Sequence, residues 1–106
     1  MSEFIQVLTS IDSRERAEEI SRKLLEMRLA ACVQIIGPVK SMYWWRGVIE
    51  ESNEWLCFIK TRGDLYKQVE EMIRSLHGYE VPEIIVLPII QGFYKYLEWM
   101  SNELKK

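Results

Sequence analysis

The chain has 106 residues, enough for one domain with its own core and no need of disulfide staples. Its 14 basic and 16 acidic residues leave a net charge of −2, which offers nothing to a nucleic-acid backbone or an anionic membrane. No apolar run approaches the roughly 18 residues of a spanning helix, the N-terminus lacks the regions of a signal peptide, and Cys32 and Cys57 read as buried reduced thiols of a cytoplasmic protein.

Phe4 to Leu8 is a β-branched and aromatic run that predicts a first strand. Asp12 and Glu15 have the spacing of a capping box, and Ala17, Ile20, Leu24 and Met27 repeat at helical intervals, so Ser13 to Leu29 is expected to be an amphipathic helix. A long β-hairpin follows, from Ala31 to Thr61. Its expected parts are Cys32 to Ile36, a Gly37-Pro38 break, Val39 to Ile49, a polar turn, and Glu54 to Thr61. Gly63-Asp64 opens a second predicted helix with Leu65, Val69, Met72, Ile73 and Leu76 inward and Gly78 as a left-handed cap. Ile84 to Ile90 reads as a strand buried on both faces. A last helix, Phe93 to Lys105, turns Phe93, Leu97, Met100 and Leu104 inward.

This order, β-α-β-β-α-β with an added C-terminal helix, predicts an α+β, ferredoxin-like sandwich over residues 1–106. Such a fold places two helices on one face of an antiparallel sheet and leaves the other bare. Here the hairpin and the fourth strand carry large apolar groups on both faces, among them Tyr43, Trp44, Trp45, Leu56 and Phe58. A contiguous apolar patch of that kind marks an interface. An oligomer packed through its sheets is therefore expected.

The polar residues that stand out are few. His77 is the only histidine and ends a helix, where it serves either as a packing residue or as a ligand-facing group beside Tyr79, Glu80 and Glu83. Lys60 lies late in an apolar strand and calls for a partner, Glu83, Glu54 or a bound anion. Tyr43 and Trp45 are core or interface residues, or the wall of a ligand cleft. No Gly-rich phosphate loop, paired-cysteine metal motif or nucleophile with an evident base is visible, so no enzyme is expected. An RNA-binding sheet would interleave basic residues with its aromatics, and this one does not.

Ala30-Ala31-Cys32-Val33, Ser41-Met42-Tyr43-Trp44-Trp45-Arg46-Gly47, Ile59-Lys60-Thr61, His77-Gly78-Tyr79-Glu80-Val81-Pro82-Glu83-Ile84-Ile85, Leu87-Pro88-Ile89 and Tyr96-Leu97-Glu98-Trp99 closely resemble the CutA-type divalent-cation tolerance family. The resemblance spans nearly the whole chain. It implies a very stable, PII-like homotrimer, a link to copper and other divalent metals, and no established catalysis. It also implies a copper site built on a first-strand thiol and two adjacent histidines. The matching positions are Thr9, Leu76 and His77, so one ligand of three is present, and Gly78 replaces the family's usual proline. The resulting expectation is a trimeric, non-enzymatic cation-tolerance protein without a required cofactor. It would take a weakly held copper or zinc ion through His77, or a small ligand in a subunit cleft formed by Tyr43, Trp45, Lys60, His77, Tyr79 and Glu83. The alternative is a PII-like signalling trimer that binds a small anionic metabolite.

Overall fold

The computed structural model describes residues 3–106. Along the chain run β1 (Phe4–Ile11), α1 (Arg14–Glu26), β2 (Cys32–Trp45), β3 (Val48–Arg62), α2 (Tyr66–Leu76), β4 (Ile84–Ile89) and α3 (Tyr94–Glu103), with a 3-10 turn at Gly63–Leu65 leading into α2. Among the described residues the four strands form one antiparallel sheet in the order β2-β3-β1-β4. The fold is α+β.

Alternation along β1 sends Ile5, Val7, Thr9 and Ile11 to the helix-covered face, where all four are fully buried. β1 runs three residues beyond its predicted end because Thr9, Ser10 and Ile11 continue the ladder with Cys57, Leu56 and Trp55. From α1, Ala17, Ile20 and Leu24 close the core, and from α2, Val69 and Ile73. Ser13, not Asp12, caps α1: its Oγ accepts from the Arg16 amide at 3.2 Å. α1 stops at Glu26, Met27 is exposed, and Arg28 takes a left-handed φ of 59°. Past α2, His77 is already extended, so Gly78 is not the left-handed cap that the sequence suggests.

The hairpin departs most from expectation. Its turn is Arg46-Gly47, both at positive φ (51° and 83°), the combination that matches the right-handed twist of the flanking strands. Glu50 to Asn53, expected to turn, instead pair with Tyr43 to Lys40. Gly37-Pro38 bulges without breaking β2, and Trp55 packs so closely on Gly37 that a Cβ there would overlap its ring. β1 ends opposite Trp55, so the hairpin beyond that point overhangs the sheet as a two-stranded arm.

The face without α1 and α2 carries Leu8, Leu56, Phe58, Ile36, Ile85 and Leu87, the last three exposed. β4 is therefore half-covered within one chain: Ile84 and Val86 pack on the core while Ile85 and Leu87 face outward. α3 contributes Met100 inward and Leu104 follows it into the core just past the helix end, whereas Phe93, expected inward, is exposed. No helix among the described residues is long and apolar enough to cross a membrane.

Candidate functional site

The overhanging arm, the end of β1 and the segment after α2 enclose a cleft of about 710 Å³. Its position follows from the strand lengths. β3 outruns β1, so Glu54 lies just past the last rung of the ladder, on the helix-free side. Glu54 is nonetheless buried, because Tyr79 covers it and donates its phenol hydrogen to Oε2 at 2.6 Å.

Residues 77–83 are fastened to β1 through Ser10. The Tyr79 amide donates to His77 Nδ1 at 3.2 Å, which leaves the hydrogen on Nε2 to meet the Ser10 carbonyl at 2.8 Å. The Ser10 hydroxyl in turn donates to Glu83 Oε1 at 3.1 Å. Tyr79 packs edge-on against the His77 ring, 4.7 Å between centroids. Burial pushes the Tyr79 phenol well above the usual range; the hydrogen bond to Glu54, the negative charge there and that of Asp12 push the same way.

Tyr43, Trp45, Tyr79 and Glu83 thus come together on the cleft wall, with His77 directly behind Tyr79. Lys60 does not join them. It sits on the same face six positions from Glu54, about 20 Å along the strand, beside Cys32 and Gln6, and donates to Gln34 rather than to Glu83 or Glu54. Sequence reasoning missed Glu54 as a cleft residue and missed Ser10 and Ser52, the latter bonded to the Tyr43 hydroxyl at 3.2 Å. The misplaced turn hid Ser52, since the polar run 50–53 is strand and not loop; the early end expected for β1 hid Ser10; and Glu54, expected in the strand, was matched with Lys60.

His77, expected as a metal ligand, is held by the backbone on both sides of its ring. Both imidazole nitrogens are engaged with backbone, so no lone pair is left for an ion. Thr9 lies fully buried in the core with an unpartnered hydroxyl, opposite Cys57, and Leu76 packs on the same core. Among the described residues no three His, Cys, Asp or Glu side chains converge to hold a metal ion. The side chains present do not fit the thiol-and-histidine copper site.

The cleft's charge is one-sided. Asp12, Glu54, Glu80 and Glu83 line it, and no basic side chain does. At its rim the Arg46 guanidinium lies 5.4 Å from the Trp45 ring centroid and pairs with Glu80 at 3.1 Å.

A family model described as CutA1 divalent ion tolerance protein matches residues 5–103. The chain belongs to that family. Protein CutA of Homo sapiens is 48% identical over 86 residues, which are 81% of this chain and 48% of the human protein. The chain thus spans about half the length of that relative. The Divalent-cation tolerance protein CutA of Archaeoglobus fulgidus is 37% identical over 105 residues, 99% of this chain and 100% of its own. The solved structure of CutA1 from the psychrotrophic bacterium Shewanella sp. SIB1 aligns with a TM-score of 0.96 at 37% identity, covering 99% of this chain and 98% of its own. These descriptions name tolerance proteins and no enzyme.

Proposed function

We propose that this CutA1-family chain is the ferredoxin-like protomer of a PII-like homotrimer that serves divalent-cation tolerance without catalysis. The observation that carries the reading is the uncovered apolar surface. Ile36, Ile85 and Leu87 on the sheet, and Met42, Trp44 and Ile49 on the arm, are between 41% and 71% exposed in the isolated chain. Such a surface marks an interface, and the reading assigns further copies of the chain to cover it. In the proposed trimer a neighbouring subunit would meet the arm and complete the cleft, where four carboxylates favour cations over anions. Copper or zinc would be held weakly, through those carboxylates and not through His77.

Light scattering tests the assembly: the expected mass is three times the 12.7 kDa chain. Trp44→Asp is expected to dissociate it, while Glu19→Lys on the outer face of α1 leaves it intact. A stable monomer at micromolar concentration overturns the reading. The PII-like alternative, a scaffold for a small anionic metabolite, draws support from Lys60 among Gln6 and Gln34 on the sheet face. Binding of a dicarboxylate that is lost in Lys60→Met would favour it. A cytoplasmic location is part of the same proposal; Cys32 and Cys57 lie on opposite faces of the sheet and do not bridge each other, so the fold draws on no disulfide. The Archaeoglobus fulgidus structure is described as that of a periplasmic protein, and fractionation decides for this chain.

A further inference from the structure

We infer that the cleft between the arm and residues 79–83 is a binding site for a small organic cation, one that carries an N–H-bearing ammonium or guanidinium on an apolar body. The inference rests on the reading of this cleft as the ligand site. Three features independent of one another carry it.

The first is a buried carboxylate with an unused oxygen. Glu54 is 5% exposed and lines the cleft; Tyr79 occupies Oε2, and Oε1 accepts no hydrogen bond among the described residues. A buried carboxylate gains most from a charged donor. The second is the wall. Tyr43, Trp45 and Tyr79 bring aromatic surface to the same cavity, and aromatic faces attract cations that are at least partly stripped of water. A bare divalent ion needs converging oxygen or nitrogen ligands, and these carboxylates line the cleft without converging. An organic cation needs only one or two carboxylates and a flat apolar surface. The third is the rim, where the chain's own guanidinium already uses this chemistry: Arg46 lies over Trp45 and pairs with Glu80. An anionic ligand would face four carboxylates with no basic side chain in the wall.

Benzylammonium, benzyl alcohol and benzoate form a probe set of one shape and three charges, with zinc(II) alone as a fourth arm. Tryptophan fluorescence reads binding through Trp44 and Trp45, and light scattering monitors assembly in the same samples. Benzylammonium is expected to bind at least about tenfold more tightly than benzyl alcohol, and benzoate not at all. Glu54→Gln, whose amide oxygen still accepts from Tyr79, is expected to weaken the amine about tenfold, and Trp45→Leu about threefold. Equal affinity for the alcohol would reduce the cleft to an apolar groove and overturn the inference. Zinc binding without amine binding overturns it too, while leaving the cation-tolerance reading standing. Should Glu54→Gln alter the mass, Trp45→Leu decides, and unchanged amine affinity in that variant overturns the inference.

Discussion

His77 shows how a side chain that looks chemical in a sequence can be structural in three dimensions. Its ring joins the Ser10 carbonyl to the Tyr79 amide and so sets the height at which Tyr79 meets Glu54. His77→Ala is expected to cost about 1–3 kcal/mol through the orphaned backbone groups, seen as a lower thermal midpoint, while calorimetry with copper(II) and zinc(II) gives the same weak affinity as the parent. Submicromolar binding lost with the histidine would restore it as a ligand. Tyr66 supports a pH prediction. Burial, then the hydrogen bond to Glu70 and the charge of Glu70, push its phenol up to about 12. The neutral phenol is thus favoured in the folded state, whereas the unfolded chain ionises near pH 10. Stability from this group is complete below about pH 10 and falls as pH rises toward 12. Urea unfolding at about pH 9 and about pH 11 should show the loss, and Tyr66→Phe should make it smaller.

The hairpin decides where the site forms. With the turn at Arg46-Gly47 its strands stay paired beyond the end of β1, and that overhang is the wall of the cleft. Two glycines bear on it for different reasons. Gly47 holds φ of +83° with nothing within 4 Å of an added Cβ, so Gly47→Ala should cost only the backbone term, about 1–2 kcal/mol. Gly37 has ordinary φ but no room beneath the Trp55 ring, so Gly37→Ala must displace that ring from the core and should lower the thermal midpoint further. A smaller loss at Gly37 than at Gly47 would mean that Trp55 moves freely. Helices α1 and α2 were legible because Ala17-Ile20-Leu24 and Val69-Ile73 repeat at the helical period. The hairpin turn was not, because Glu50-Glu51-Ser52-Asn53 has loop composition, and its strand character comes from pairing with Lys40 to Tyr43.

The molecule as a whole is an elongated body of 45 × 25 × 22 Å, drawn out by the arm. Lys60 and the cleft lie toward opposite ends of the sheet face away from α1 and α2, so Lys60→Met is expected to leave benzylammonium affinity unchanged within about twofold; a tenfold loss would show that the two regions communicate. The order of elements, the inward stripes of α1 and α2 and the two-faced apolar strands are all written in local periodicity. The sequence also carried the family, through motifs spread from residue 30 to residue 99. Which polar residues meet depends on the folded chain. The side-chain bonds of Tyr79 to Glu54 and of Ser10 to Glu83 span 25 and 73 positions, and Lys60 faces Gln34 instead of Glu83. The physical reason is that strand register and the lengths by which strands outrun one another are set by cross-strand pairing, which no local pattern encodes.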